Sequence, residues 1–503
     1  MLNPIFWLAL IFGSISFLLL IGRQSASLFC IILISIMVYF TPTLIQENAT
    51  VYDSFSHIGM ASAIAQAGHA DPTKYSYHNW PTAFILGSTI GLILGMQWET
   101  IIYYFPAFFL IVLILGIFIL ARVLSQFSRR DTVPNVFVAA VMLAFFAENN
   151  TLQSHFCPQA FGFMMFIYFI YTLFKYESIF TVRAYALLCI ILFFAITTAH
   201  PPSALFAVFV LLALGLLRAS GRWRFKSFFN KNLKLAFIMV FLVILVSWQI
   251  FGVWNFGTFG GGFLKNLKMF LFKGFEETTY FVVGMPKETL LSYLSILKHI
   301  FFFCLGFIGF YIMLRKRSKP FPIVFSCALA TLIFFGFSII FVRGILWERV
   351  LLYGALPIAL GGAYFIQRVK RNTAWILLII ISIFLLVNTF ILYDSALQTI
   401  VPSSELATSD FVIAKIDGKS ITMYINAPIL AKNPVYRAER IVAVPLEEFV
   451  PRLFINPSAD VQSIVLSRQM QILMGSQFYK LALIMNEKMN KVYSSEFNSV
   501  YLR

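Results

Sequence analysis

Charge is scarce in this sequence. Asp, Glu, Lys and Arg make up 12% of its 503 residues and hydrophobic residues 60%; a soluble protein of this length carries about twice that charged fraction. Acidic residues are the scarcer kind, 21 against 38 Lys and Arg. Cysteine is rare too. The five, Cys30, Cys157, Cys189, Cys304 and Cys327, lie in or beside apolar runs, which gives neither a disulfide framework nor a zinc spacing. There is no Walker loop, no Rossmann glycine fingerprint and no nucleophile elbow where one would work, so no motif offers a nucleotide site. The first apolar run, from Ile5, lacks a charged leader and a cleavage site, and reads as a retained span.

What is present is hydrocarbon in long stretches. Mean hydropathy is +0.85, and apolar runs of about 20 residues recur. They predict an all-α polytopic membrane protein of about 12 transmembrane helices: 4–22, 26–45, 99–121, 134–147, 157–174, 183–199, 202–218, 235–252, 291–314, 321–342, 350–367 and 374–393. Almost no charge is expected in the middle of these spans. The net charge of +17 is not a nucleic-acid signal, because the basic residues cluster between the spans: Arg222 to Lys234, Arg315 to Lys319, and Arg368 to Arg371. That is the pattern of cytoplasmic loops facing anionic lipid. It puts 148–159, His200, 253–290, 343–349 and everything after Tyr393 on the other, extracytoplasmic side; Arg23 in the first short turn places 46–97 there too, provided that 81–96 does not cross. Residues 1–393 form the membrane domain and 394–503 a small extracytoplasmic α/β domain. In the latter, β-rich segments (411–416, 420–425, 441–444, 463–466) accompany a helix-like stretch, 469–488.

The polar residues concentrate in the outer loops, above all in 46–97. Ser54 to Ala67 reads as a helix ended by Gly68, with Asp53 at its start and His57 one turn later on the same face. Asp53 is either a general base at the water–lipid boundary, part of a metal site, or a helix N-cap. His57 is either functional or a solvated surface residue. The apolar run 81–96 is short, with Gly87, Gly91 and Gly95 on or near one face. It reads either as a juxtamembrane or re-entrant helix, capped by Asn79 with Pro81 in its first turn, or as an ordinary span in an inverted or irregular topology. Glu148, His155 and Gln159 form a second outer cluster, with Pro158 opening a helix. His200-Pro201-Pro202 forms a third. In Arg343-Gly344-Ile345-Leu346-Trp347-Glu348-Arg349, two arginines are placed outward against the positive-inside tendency; they suit a lipid phosphate by guanidinium geometry, or else a local pair with Glu348 or headgroup snorkelling. The 253–290 loop has the length of a lid or binding loop. Asn48-Ala49-Thr50 and Asn149-Asn150-Thr151 match the glycosylation sequon.

These residues resemble the GT-C superfamily of polytopic glycosyltransferases. The resemblance rests on Tyr52-Asp53-Ser54-Phe55-Ser56-His57-Ile58-Gly59, Gly68 and Trp80-Pro81, then Pro158-Gln159, Ala199-His200-Pro201-Pro202 and Glu348-Arg349, and covers roughly 26–393. It implies a catalytic Asp53 that activates the acceptor, with His57 beside it, and a lipid phosphate bound by Arg349 and Arg343. It also implies substrate contacts from Glu148, His155, Gln159, His200 and Glu348. The implied donor is a polyprenyl- or dolichyl-phosphate sugar, and the acceptor a glycan, lipid or protein. Oligosaccharyltransferase-like members carry paired acidic residues and a metal. Here Ser54 follows Asp53, so no cofactor is assigned and a divalent metal stays open; a single Asp fits the members that use lipid monophosphate donors. A lipid-linked sugar polymerase or ligase, and a transporter or flippase, are the alternatives. The second would place charge at the membrane midplane within broken helices.

Overall fold

The structure is a computed structural model and describes residues 3–46, 52–126, 135–149, 155–178, 182–219, 235–253, 290–316, 318, 320–342, 347–399, 408, 411–415, 419–422, 441–443, 461–466, 490–494 and 499–502. Fourteen α-helices come first: α1 Pro4–Leu19, α2 Gln24–Gln46, α3 Tyr52–Ala67, α4 Thr82–Leu94, α5 Trp98–Ser125, α6 Val136–Glu148, α7 Pro158–Ser178, α8 Val182–Ala199, α9 Pro201–Ala219, α10 Leu235–Ser247, α11 Leu290–Arg315, α12 Phe321–Val342, α13 Trp347–Ile366 and α14 Arg371–Thr399. Every predicted span coincides with one of them. By length and composition, five are apolar enough to cross a membrane: the stretches 24–41, 100–125, 293–315, 349–366 and 371–392. Shorter apolar helices of 10–17 residues accompany them. The chain is a membrane-embedded, multi-pass protein.

The chain divides into two compact units. The first comprises Met1–Thr41, Pro106–Ser154 and Gln159–Ser395. Its central element is α13, which packs against α6, α11 and α12. Small residues permit this: where helices meet in lipid, close backbone approach supplies the dispersion energy that the hydrophobic effect cannot. A Cβ on Gly309 of α11 would run into the Gly361 carbonyl of α13, and one on Gly361 would lie 2.7 Å from the Gly306 carbonyl. Every residue of α6 is buried. The apolar residues of α1, α11 and α14 that remain exposed, such as Phe12, Phe307 and Ile376, are those a bilayer solvates.

The second unit comprises Pro42–Phe105, His155–Pro158 and Ala396–Arg503. Here α3 packs on α4. Helix α3 ends as its sequence implies: Gly68 has φ 74°, and its N–H donates to the Ile64 carbonyl at 2.8 Å. The entry to α4 differs from expectation. Asn79 closes a short 3-10 turn, Ser76–Asn79, and Pro81, with no side-chain cap bond, precedes α4. Asn79 is buried, and the cap position of α4 is held by Pro81, not Asn79. Gly87 and Gly91 are in α4, where a Cβ would meet Phe156 and Trp98, each at 2.5 Å. Gly95 instead lies past its end, with φ 58°.

A five-stranded sheet of order β2-β1-β3-β5-β4 is built from β1 Lys419–Thr422, β2 Ile441–Ala443, β3 Val461–Leu466, β4 Asn490–Ser494 and β5 Ser499–Leu502. β1 pairs in parallel with β2 and β3, and β5 pairs antiparallel with β3 and β4. Residues 411–415 are helical, not the strand expected there. The predicted helix 469–488 and the loop 254–289 lie outside the described residues, as does the sequon at Asn48.

The glycine seam gives a stability prediction. Gly309→Ala should cost about 1–3 kcal/mol through overpacking. Gly336→Ala on α12, where a Cβ meets nothing within 4 Å, should be neutral or slightly stabilising. Equilibrium unfolding of both variants in detergent checks this; equal effects would refute the seam.

Candidate functional site

In the second unit the chemistry starts at the first turn of α3. Asp53 occupies the second position of the helix and is exposed. It is therefore not the N-cap residue, although its carboxylate gains from the helix N-terminal dipole. His57, one turn on, is buried at 7% exposure, which overturns the solvated-surface alternative. Its Nδ1 lies 3.2 Å from the Phe156 carbonyl. A carbonyl only accepts, so Nδ1 carries the hydrogen and Nε2 is left as an acceptor. The ring stands edge-on to Tyr77 at 5.5 Å and near Phe84 at 5.9 Å. Burial lowers its pKa, with the Asp53 charge and the Phe156 bond pulling the other way. His57 is thus a neutral imidazole set behind an exposed carboxylate.

The other histidines of this unit separate cleanly. His78 is occupied on both sides: the Asp71 N–H donates to its Nδ1 at 2.9 Å, and its Nε2 donates to the Met60 carbonyl at 3.1 Å. It ties the turn to α3, and burial lowers its pKa. His69, at the exposed end of α3, bonds the Ala67 carbonyl at 3.0 Å. His155 is buried, and burial, then the His57 charge, pushes its pKa down to about 3. The structure therefore brings together Asp53, His57 and His155.

In the first unit, Glu148 ends α6 and is 2% exposed. Its Oε1 lies 2.7 Å from Nδ1 of His299 on α11. The neighbouring Lys298, 0% exposed, donates from Nζ to the Glu148 carbonyl at 2.9 Å and to Asn388 Oδ1 at 2.8 Å. Asn388 of α14 donates in turn to the carbonyls of Phe146 at 3.0 Å and Asn149 at 3.2 Å. Tyr39 of α2 donates to that same Asn149 carbonyl at 2.8 Å. Asn149 is 2% exposed, so a glycan at that sequon would have no room. Lys298 is a buried lysine near the N-terminal end of α11, away from the middle of the span. Lys298, His299 and Asn388 were missed; the signal was available, since Lys298 is the only charged residue from 290 to 314.

Gln159 is buried in the first turn of α7. His200 precedes α9, which Pro201 opens as expected. Its Nδ1 lies 2.7 Å from Ser203 Oγ, which bonds the hydroxyl of the fully buried Tyr353. Arg349 is half-buried in the first turn of α13, one turn before Tyr353. Arg343 and the side chain of Glu348 lie outside the described residues. Among the described residues, no three or more His, Cys, Asp or Glu side chains converge as a metal's ligand set. The Lys298 ammonium also sits beside the Glu148–His299 pair, which does not suit a divalent cation there.

No protein-family model matches the chain, and neither does any curated protein. Solved structures do. The apo oligosaccharyltransferase of Archaeoglobus fulgidus matches at TM-score 0.58 and 12% identity, over 89% of this chain and 70% of that one. Its complex with Zn and sulfate matches at TM-score 0.56 and 15% identity, over 94% and 72%. ArnT from Cupriavidus metallidurans bound to undecaprenyl phosphate matches at TM-score 0.55 and 12% identity, over 94% and 97%. Both enzymes are GT-C glycosyltransferases, and the chain has their fold.

The buried imidazoles make stability pH-dependent, with a definite sign. An unfolded His155 binds a proton below its ordinary pKa of 6.5, whereas the folded one does not until about 3. Stability is therefore lost as pH falls through 6.5, by about 2 kcal/mol at pH 5 for this group alone. Equilibrium unfolding at pH 7.5 and 5.0 should show the difference shrinking by about that amount in His155→Gln. An unchanged difference would mean that His155 is not held neutral.

Proposed function

We propose that the chain is a membrane glycosyltransferase that moves a sugar from a polyprenyl-phosphate carrier to an acceptor at the extracytoplasmic face. The observation that carries the reading is the exposed Asp53 carboxylate at the first turn of α3, backed by the neutral His57, in a chain with the GT-C fold. An enzyme without a nucleotide motif needs a donor activated beforehand, and a sugar on a lipid phosphate is one. One of the matched structures holds undecaprenyl phosphate and another an acceptor peptide, which are the two kinds of molecule this reading calls for.

In the reaction the acceptor oxygen forms a bond to the anomeric carbon as the bond from that carbon to the phosphate oxygen breaks. The lipid phosphate leaves with the electron pair, and Asp53 takes the acceptor's proton. His57 presents Nε2 as a hydrogen-bond acceptor and holds the geometry of the α3 turn. Arg349 neutralises charge growing on the phosphate, with Arg343 assigned the same task from its place in the sequence. Glu148, His155, Gln159, His200 and Glu348 are assigned to substrate contacts. The basic clusters put the side opposite them outside, with 394–503, which contains the five-stranded sheet, as an α/β domain on that side.

Turnover of a radiolabelled polyprenyl-phosphate sugar by purified protein tests the assignment. Asp53→Asn should lower kcat by about 10²–10⁴-fold, and Arg349→Ala by about 10²–10³-fold. Wild-type turnover in Asp53→Asn together with loss in Arg349→Ala would replace this reading with that of a sugar polymerase or ligase.

A further inference from the structure

The Glu148–Lys298–His299 cluster is more than a device for neutralising a buried lysine. Lys298 is satisfied by two neutral oxygens, the Glu148 main-chain carbonyl and Asn388 Oδ1. The Glu148 carboxylate is left to other work. Oε1 accepts from His299 Nδ1, while Oε2, fully buried, receives no hydrogen bond from any described residue. A buried carboxylate oxygen without a donor is costly, and the fold keeps one here. Because the carboxylate accepts at Nδ1, that nitrogen carries the hydrogen. Nε2 is therefore the nitrogen that His299 offers outward.

The placement of the ring fits that use. At ~100° per residue, Lys298 points into the bundle while His299 sits at the flank of the lipid-facing stripe formed by Tyr293, Ile296, Ile300 and Phe307. Its side chain is 19% exposed. The 26 residues of α11 span ~39 Å against a hydrocarbon core of ~30 Å. With Arg315 at the cytoplasmic boundary, His299 lies ~6 Å below the opposite one. A carboxylate-held imidazole at that depth, on a helix flank, meets the head of a membrane-borne molecule and not the bulk solvent.

We propose that His299 is a substrate-binding residue that accepts a hydrogen bond at Nε2 from a sugar hydroxyl, with Glu148 as the positioning residue that fixes its orientation and can take a second hydroxyl at Oε2. The ligand chemistry is a polyol and not an anion: the carboxylate at the site repels phosphate, and Lys298, the one buried cation among the described residues, is wholly enclosed. The inference rests on the glycosyltransferase reading for its substrate class, but its test needs no turnover.

Wild-type protein in nanodiscs is treated with diethyl pyrocarbonate, and carbethoxylation of His299 is read by mass spectrometry. Four samples are compared: no addition, an undecaprenyl-phosphate-linked hexose, bare undecaprenyl phosphate, and a free disaccharide. His299 should be modified without ligand and protected at least fivefold by the lipid-linked hexose, if the hydroxyl comes from the donor, or by the disaccharide, if it comes from the acceptor. Protection by the bare lipid phosphate equal to that by the hexose lipid, or protection by none of the three, overturns the proposal. In His299→Leu, affinity for the protecting sugar should fall about tenfold, as for one lost hydrogen bond, with affinity for bare undecaprenyl phosphate unchanged. Unchanged affinity for the sugar also overturns it. Loss or retention of turnover in Asp53→Asn bears on the transferase reading alone, so the two can fail separately.

Discussion

An ammonium group cannot be left alone among hydrocarbon, and Lys298 is wholly buried. That requirement organises the first unit. Meeting it brings the end of α6, the interior of α11 and Asn388 of α14 to one point, with Tyr39 of α2 joining through Asn149. Removing one partner of such a group costs several kcal/mol, because the remaining charge keeps its desolvation penalty. Dispersion packing holds helices together with little preference for register. A polar network with fixed lengths near 2.8 Å supplies the register.

Close backbone contact is the complementary constraint. Gly306, Gly309 and Gly361 let α11 and α13 meet without side chains between them. The same device recurs elsewhere on a smaller scale. Gly162 of α7 leaves room for His200 and Ser203, so that the hydroxyl chain to Tyr353 can close. In the second unit Gly87 makes space for Phe156, whose carbonyl then fixes the His57 tautomer. Missing side chains thus place functional ones, by letting backbone or ring come within hydrogen-bonding reach.

Local signals were read well where one residue controls the backbone. Gly68 ends α3 because a left-handed turn costs glycine little, and Pro201 opens α9 because its missing N–H is unneeded in a first turn. Signals failed where two rules competed. Asn79 looks like a cap, yet the chain uses it to close a 3-10 turn and buries it. Residues 411–415 have strand-forming composition, yet are helical, since β preference depends on finding a partner strand. The sequence left His57 open between a functional and a solvated surface residue, because the rings that cover it, Tyr77 and Phe84, come from 20 and 27 residues away.

The amino-acid order alone determined the membrane class, the position of nearly every helix and the concentration of ionisable groups in a few connections. Those depend on transfer free energies and on backbone preferences a few residues wide. Tertiary structure decided which of those groups are exposed and which are paired. Asp53 stays open while His57 and His155 are buried, and Glu148 meets His299 from 151 residues away. No local pattern encodes such a pairing, because the energy that selects it arises only when distant helices exclude water and lipid from the same point.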